Sequence, residues 1–196
     1  MKNKKLTLGI SAILLVIAAF IIVEKLNKSS PAEHKVMFFP NIDAQSIISL
    51  VITEGENSVT LDKASGSWVV SKTLEEQTYP ADGASVQTAV DKIVSMRRGD
   101  LVSDNPANQP TFEVDDTNSM NVQIFTSSNS NGAAGTLHIG KTGPDWSSNY
   151  VRKSGTNAVY SVSGGLRHSL FSDIERWRAK EMPADEAMRE FEGSED

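Results

Sequence analysis

The longest apolar run in the chain lies near its N-terminus. Leu6–Val23 reads LTLGISAILLVIAAFIIV and contains no charged residue. At about 1.5 Å per residue, a helix of this length spans roughly 27 Å, close to the hydrocarbon thickness of a bilayer. We therefore expect a transmembrane anchor over residues 6–25, preceded by a cytoplasmic N-terminus at residues 1–5 and followed by a linker at residues 26–40.

The charges beside this run set its direction. Lys2, Lys4 and Lys5 precede it, and cationic residues stay on the cytoplasmic side of a membrane. We expect a single-pass protein of the inner (cytoplasmic) membrane, with a cytoplasmic N-terminus and a periplasmic domain. The alternative is a cleaved signal peptide, whose apolar stretch is about 7–15 residues long and ends at a small-residue cleavage site. Residues 21–25 (IIVEK) offer no such site, which favours a retained anchor.

Beyond the linker, the pattern changes to short strands. Ser46–Glu54 is β-branched and mostly apolar, as expected of a buried strand. Val59–Asp62 and Trp68–Ser71 alternate with period two, and Gly-containing turns separate the three segments. This pattern predicts a three-stranded antiparallel meander.

The strand pattern then returns in the second half of the domain. Asn121–Thr126 and Thr136–Ile139 alternate in the same way, with a polar SSNSNG turn between them. Tyr150–Arg152 and Ala158–Val162 follow as two further strands. The second half therefore contains one strand more than the first.

Each set of strands is followed by apolar spacing typical of a helix. Asp82 can cap the first helix and Ser163 the second. The apolar face of the first helix is formed by Val86, Ala89, Val90 and Ile93. The apolar face of the second is formed by Leu166, Leu170, Ile174 and Trp177.

These elements define the expected fold class. We predict an α+β domain at residues 41–182, built from two consecutive β-β-β-α units with antiparallel meanders and preceded by one transmembrane helix. The units are expected at about residues 41–102 and 112–180, and an acidic tail at residues 183–196 follows them.

Charge is distributed unevenly along the chain. The formal net charge is −6, yet residues 1–25 carry four lysines against one glutamate. Seven acidic residues against one arginine make residues 181–196 strongly anionic. An acidic domain with an acidic tail is repelled by phosphate backbones, so we expect no nucleic-acid partner.

Two places offer apolar groups for a partner. Trp146 lies in a Gly-Pro-Asp-Trp-Ser-Ser loop and is the aromatic residue most suited to face a partner. In the tail, Pro183 with the acids behind it is typical of a helix start, and Met188 and Phe191 form a small apolar spot. The tail is either a frayed acidic end or a docking peptide.

One motif imitates a nucleotide-binding loop. Gly135–Thr142 (GTLHIGKT) fits the pattern G-x-x-x-x-G-K-[ST]. That chemistry needs a loop that leads directly into a helix, whereas Thr-Leu-His-Ile alternates like a strand and Thr-Gly-Pro-Asp follows. We therefore expect a strand here, and no nucleotide.

Other catalytic and metal-binding patterns are weak. The chain has no cysteine, and its three histidines show no metal-ligand spacing. His168, Ser169 and Asp173 supply the residue types of a catalytic triad, but neighbours on one helix do not face each other. We expect no enzymatic activity, no cofactor and no metal, and an exported hydrolase with clustered buried carboxylates remains the least favoured alternative.

The order of several stretches resembles a known family, the one catalogued as domain of unknown function 4340. The stretches span about residues 36–182 and are Ile47–Val59, Gly66–Val70, Tyr79–Asp82, Leu137–Lys141, Tyr150–Arg152, Val159–Tyr160 and Trp177–Lys180. The family's last motif often reads Arg-Asp-Lys, and here Ala179 replaces the Asp.

The resemblance implies an N-terminal anchor and an exported α+β domain. It implies membrane machinery as the setting, including ABC-type transport systems related to gliding motility, and it carries no catalytic residues. From residues and resemblance together we expect an accessory or scaffold subunit that binds other subunits of a transport or envelope membrane complex and touches the bilayer through Leu6–Val23. The alternative is a ligand-binding module for an envelope polymer or a transported solute.

Overall fold

Residues 36–129 and 131–180 are described by a computed structural model. They form nine β-strands, one α-helix and five single-turn 3-10 helices. The strands are β1 (Ile47–Glu54), β2 (Asn57–Ala64), β3 (Ser67–Lys72), β4 (Thr78–Pro80), β5 (Leu101–Ser103), β6 (Met120–Thr126), β7 (Gly135–Thr142), β8 (Ser148–Lys153) and β9 (Val159–Ser163). The helix is α1 (Gly83–Ser95). The 3-10 helices are Ala44–Ser46, Pro106–Asn108, Pro110–Phe112, Leu166–His168 and Ile174–Arg176.

All nine strands belong to one antiparallel sheet. Their spatial order is β4-β3-β2-β1-β6-β7-β8-β9-β5. Two four-stranded meanders, β1–β4 and β6–β9, therefore meet at their first strands, and β1 and β6 pair antiparallel at the centre. Short turns join successive strands within each meander, which is the usual connection for antiparallel neighbours.

Alternation of side chains gives the sheet one apolar face, which we call the core face. In β6 every second residue is buried, from Met120 to Thr126. In β1 the pairing with β6 shifts between Ile47 and Ser49, so Ile48 is an extra residue that is 42% exposed. This β-bulge lets Ile47 and Leu50 both face the core although they are three residues apart.

The helix α1 packs its apolar stripe into the same core. Asp82 caps it by accepting from the backbone N–H groups of Ala84 (3.0 Å) and Ser85 (3.2 Å). The buried stripe consists of Val86, Ala89, Val90 and Ile93. These four positions match the apolar face predicted from the sequence.

Each edge of the sheet is completed by a segment from the other half of the chain. After α1, β5 pairs with β9, so that Leu101 lies opposite Tyr160. The C-terminal segment returns to the β4 edge, where the Asp82 N–H donates to the Trp177 carbonyl at 2.7 Å and the Ala179 N–H donates to the Pro80 carbonyl at 2.9 Å. Backbone hydrogen bonds between residues far apart in sequence therefore tie the two halves together.

This architecture corrects the predicted fold class. The α+β arrangement of two β-β-β-α units is wrong, because one continuous nine-stranded antiparallel sheet runs through both halves and only one α-helix is present in the described residues. The predicted second helix is instead two separate 3-10 turns, Leu166–His168 and Ile174–Arg176, with residues 169–173 between them.

The failure of that helix has a local cause. Gly164 and Gly165 at its start adopt positive φ angles of 114° and 55°, which an α-helix excludes. Asp173 then caps a new turn by accepting from the Glu175 N–H at 3.1 Å. The four predicted apolar positions are nevertheless buried, since turns as well as a helix can direct them inward.

The outer face of the sheet is covered in its second half by residues 104–119, which we call the outer cover. Val114 in this segment is fully buried, and the ring centroids of Phe112 and Tyr150 lie 4.8 Å apart. Gly140 allows the close approach, because a Cβ atom there would lie 2.0 Å from the Phe112 carbonyl oxygen. The sheet is thus buried on both faces around β7 and β8.

The chain enters the described region beside the C-terminal end of α1. Met37 forms an isolated bridge with Arg97, and the Arg98 N–H donates to the Val36 carbonyl at 2.8 Å. Phe38 and Phe39 are then buried in the core. The predicted anchor lies outside the described residues, and within residues 36–129 and 131–180 there is no helix both long and apolar enough to cross a membrane.

Candidate functional site

The connections at one end of the sheet carry the two large apolar side chains that are most exposed among the described residues, Leu74 and Trp146, and we call this the loop end. It comprises the turn after β1, the loop after β3, the loop between β7 and β8 and the segment after β9 (residues 55–56, 73–77, 143–147 and 164–174). Antiparallel pairing places these four connections together, because β1, β3, β7 and β9 all run toward that end.

Trp146 lies on a loop that several hydrogen bonds hold in place. Its side chain is 85% exposed and its φ angle is 59°, a conformation that non-glycine residues adopt only when neighbouring contacts impose it. Asp145 imposes it by accepting from the Ser148 N–H at 2.9 Å and from the Ser148 hydroxyl at 2.5 Å. These hydrogen bonds from Ser148 lower the pKa of the Asp145 carboxyl below its usual value.

The same loop is fastened to the segment that follows β9. The N–H groups of Gly164 and Gly165 both donate to the Ser147 carbonyl at 3.0 Å. Both glycines need positive φ angles to present their N–H groups in this way. Trp146 is therefore an exposed side chain on a backbone that is held in place.

Leu74 is the second exposed apolar side chain of the loop end. It is 100% exposed with a φ angle of 73°, in the loop that follows β3. A groove of about 720 Å³ lies beside it, lined by residues of the β1–β2 turn, the β3–β4 loop and Ser172 to Ile174. A second groove of about 420 Å³ adjoins, because Ser172 and Asp173 line both.

Arg167 holds the segment after β9 onto the end of the sheet. Its guanidinium pairs with the carboxylate of Glu54 and lies 3.9 Å from that of Glu113. It also donates to the Gly140 carbonyl at 3.4 Å. The Ser172 hydroxyl also donates a hydrogen bond to the Glu54 carboxylate at 3.3 Å. The lining of the smaller groove is therefore ordered by an ion pair and a hydrogen bond to the same carboxylate.

A separate polar cluster lies beneath the outer cover. His138 is 3% exposed; its Nδ1 lies 3.0 Å from the Ser119 hydroxyl and its Nε2 lies 3.6 Å from the Asp116 carboxylate. Arg152 donates from Nε to the Val114 carbonyl at 2.8 Å and pairs with Asp116 at 3.0 Å. Burial, followed by the charge of Arg152, lowers the pKa of His138, and Asp116 opposes the shift.

This cluster fastens the outer cover to the sheet. Both ring nitrogens of His138 face neighbouring groups, and the outer cover shields the ring from solvent. Arg152 satisfies the Val114 carbonyl, which would otherwise be an unpaired buried acceptor. The arrangement therefore provides structural hydrogen bonds between the outer cover and the sheet.

The residues singled out in the sequence as possible chemical motifs lie in a strand and in 3-10 turns. Gly135–Thr142 forms strand β7, as its alternation predicted, so its backbone groups belong to the sheet. His168 and Ser169 lie on a 3-10 turn, and Asp173 caps the next one. Within residues 36–129 and 131–180, no group of three or more His, Asp or Glu side chains is placed to hold a metal ion.

The predicted partner-facing residues divide into two sets. Trp146 is exposed at the loop end, whereas Met188 and Phe191 lie outside the described residues. Trp177 is fully buried, as its apolar spacing suggested. Leu74 was missed, because a single leucine in a polar loop gives no periodic signal.

Comparison with known proteins identifies a family. The family model described as “Domain of unknown function (DUF4340)” matches residues 68–184, more than half of the chain. The resemblance inferred from the sequence is therefore confirmed, and the match begins in β3, after the first two strands. Comparisons with curated proteins and with solved structures give no match.

Proposed function

The chain belongs to the family described as domain of unknown function 4340, and from that premise we propose that it is a non-enzymatic, membrane-anchored accessory subunit. Its N-terminal anchor would hold it in the inner membrane with the domain on the periplasmic side. The loop end would bind protein partners within a transport or envelope complex. The observation that carries the proposal is the pair of exposed apolar side chains, Trp146 and Leu74, on one end of a rigid sheet.

The spacing of these two side chains suits a single partner. Four strand spacings separate β3 from β7, or about 19 Å along the sheet. A standard protein interface buries about 800 Å² on each partner, a patch wide enough to include both. Tryptophan is also among the residues that contribute most to interface energies.

Preorganisation of the loop end supports the same proposal. The Trp146 loop is fixed by Asp145 and by the two glycine N–H donors of the neighbouring segment. A binding loop that is already ordered loses less conformational entropy on association than a flexible one. A partner that covered the exposed Trp146 side chain would gain the free energy of removing a large apolar surface from water.

Site-specific crosslinking in intact membranes would test this proposal. A photoreactive amino acid replaces Trp146 or Leu74 in the full chain, and matched controls carry it at Ser65 or Ser154, which are exposed in turns at the opposite end. We expect discrete crosslinked products from the loop-end positions and none from the controls. Equal crosslinking from both ends, or none from either, would contradict the proposal.

The anchor needs its own experiment. Protease added to intact spheroplasts should digest the domain while a tag at the N-terminus stays protected. Carbonate washing should leave the full chain in the membrane fraction. A domain protected from protease, or a chain recovered in the soluble fraction, would remove the membrane part of the proposal.

A second candidate function is ligand binding at the loop end. The 720 Å³ groove beside Leu74 falls within the size range of small-molecule sites. The hydroxyl groups of Ser58 and Thr73, 2.8 Å apart, supply polar groups at its base. Saturation binding of a solute with an affinity lost in Thr73→Val would favour this candidate over a protein partner.

A further inference from the structure

A cavity of about 370 Å³ lies at the C-terminal end of α1, apart from the two grooves described above. Its wall carries three cations, Lys92, Arg97 and Arg98, with Gly99 and Gly164 between them. None of the described residues that line it is acidic. This local excess of positive charge contrasts with the formal net charge of −6 for the chain.

The cationic groups of this cavity are held in position by their neighbours. The Lys92 ammonium donates to the Gly164 carbonyl at 3.3 Å and to the Ser169 hydroxyl, which fixes its stem along the wall. The Arg98 guanidinium carbon lies 5.5 Å from the centroid of the Tyr160 ring, a cation–π contact. The wall is therefore preorganised for an anion.

One buried donor in the wall has no partner among the described residues. Arg98 Nε–H is buried and donates to no acceptor there. A buried N–H group without an acceptor costs free energy, so the Arg98 guanidinium has hydrogen-bonding capacity that its described neighbours do not meet. Guanidinium groups favour phosphate oxygens, because their planar N–H groups match the spacing of two acceptors.

The position of the cavity suggests where such an anion comes from. Val36 and Met37 lie against Arg98 and Arg97, so the chain enters the described region at the cavity wall. Residues 26–35, the part of the expected linker before this point, span at most about 35 Å when fully extended. An anchor in the bilayer therefore keeps the cavity within reach of lipid headgroups.

From these observations we propose that the cavity lined by Lys92, Arg97 and Arg98 binds a phosphate ester, supplied as the headgroup of an anionic phospholipid. The phosphate oxygens would accept from Arg97 and Arg98, with Lys92 as a third charge. Assignment of the phosphate to a lipid rests on the proposed membrane anchor; binding of the phosphate itself does not.

The test uses the full chain in nonionic detergent micelles and calorimetric titration with two probes. Phosphatidylglycerol is added to the micelles in one arm, with phosphatidylcholine as the zwitterionic reference. Soluble glycerol 1-phosphate is added in the other arm. The double variant Arg97→Gln/Arg98→Gln is compared with Lys63→Gln/Lys141→Gln, which removes two charges from exposed strand positions outside the cavity.

We expect the wild type to bind phosphatidylglycerol more tightly than phosphatidylcholine. The arginine double variant should lose on the order of tenfold in affinity or more, because charge-assisted hydrogen bonds are about twice as strong as neutral ones. The lysine control should stay within about twofold. Comparable binding of soluble glycerol 1-phosphate, with the same loss in the arginine variant, would support the site and identify a soluble ester as its ligand.

Two outcomes would overturn the proposal: no binding of either probe by the wild type, or an equal loss in both double variants. If the arginine variant melts abnormally, Ser163→Asp serves in its place, since it adds a carboxylate to the cavity wall and keeps the arginines. Unchanged affinity in that folded variant would also overturn it. With the photoreactive amino acid at Leu74, Trp146→Ala should lose partner crosslinking and keep phosphate binding, so the two proposals can fail separately.

Discussion

Two tryptophans in this molecule have opposite environments. Trp177 is fully buried, and its Nε1–H donates to the Phe171 carbonyl at 2.9 Å. Trp146 is 85% exposed on the loop between β7 and β8. The same type of side chain therefore closes the fold in one region and is exposed to solvent in the other.

The difference follows from what each backbone segment pairs with. The Trp177 carbonyl accepts from the Asp82 N–H, and the backbone of Arg178 forms a β-bridge with Ala81. The guanidinium carbon of Arg178 lies 4.1 Å from the centroid of the Tyr79 ring. Residues almost a hundred positions apart thus complete the sheet edge. The Trp146 loop is also well bonded, but its bonds stabilise the backbone and leave the indole in solvent.

Two of the stretches quoted for the family resemblance meet at this edge. Tyr79–Asp82 and Trp177–Lys180 are widely separated in the sequence, yet they lie side by side as an added strand pairing. Ala179 contributes through its backbone N–H, which donates to the Pro80 carbonyl at 2.9 Å. The replacement of the usual Asp by Ala179 therefore leaves this pairing intact.

The largest expected effect comes from truncating the buried tryptophan. Trp177→Ala should lower the free energy of unfolding by about 3–5 kcal/mol, because it leaves a large cavity and an unpaired Phe171 carbonyl. Urea denaturation followed by circular dichroism would measure it. A loss of less than about 1 kcal/mol would show that Trp177 does not close the fold.

A smaller effect is expected where the outer cover meets the sheet. In Gly140→Ala the new methyl group would lie 2.0 Å from the Phe112 carbonyl oxygen and 2.7 Å from Val114 Cγ1. Displacing the cover should cost about 1–3 kcal/mol, as overpacking of a core does. The matched control is Gly83→Ala, where the added Cβ meets nothing within 4 Å and stability should be unchanged or slightly higher.

Acidification should act on the same cover through His138. Burial lowers the pKa of His138 below the ordinary value of 6.5, so the unfolded chain binds its proton at a higher pH than the folded one. The stabilisation is therefore complete above pH 6.5 and decreases as the pH falls below it. Melting temperatures from pH 7.5 to 5 should fall less steeply for His138→Asn than for the wild type.

A control separates this effect from general acid destabilisation. His168→Asn removes an exposed imidazole from the loop end and should leave the wild-type slope in place. Identical slopes for the wild type and His138→Asn would mean that His138 does not couple the outer cover to pH.

The sequence predicted most of the strands and the one α-helix, because their periodic apolar positions are a local property. Strands β4 and β5 could not be predicted, since three residues show no alternation. Strand β5 is ordered by β9, far away in sequence, and β4 lies between β3 and the distant segment that bridges Ala81 through Arg178. The prediction of a second helix was wrong, although the burial of its apolar positions, such as Leu166 and Trp177, was predicted correctly. The glycines before Leu166 and the cap at Asp173 favour two separate turns.

The candidate sites were predicted less completely than the fold. Trp146 could be singled out because a tryptophan in a Gly-Pro-Asp loop has no apolar neighbours to pack with. The cavity at the end of α1 could not be predicted, because Arg98 and Gly164 come together only when the chain after α1 pairs, as β5, with the distant strand β9. His138 alternates as an outward residue, and only the outer cover explains its burial.

The smallest effect on stability is expected at Trp146, and it is the most informative about function. Trp146→Ala should change the free energy of unfolding by no more than about 0.5 kcal/mol, because the exposed indole makes few contacts and the loop is held by Asp145. Its retention in membrane complexes, measured by co-purification in mild detergent, should nevertheless fall sharply. A variant as unstable as Trp177→Ala, or one that co-purifies like the wild type, would show that the two tryptophans do not have the different roles assigned to them.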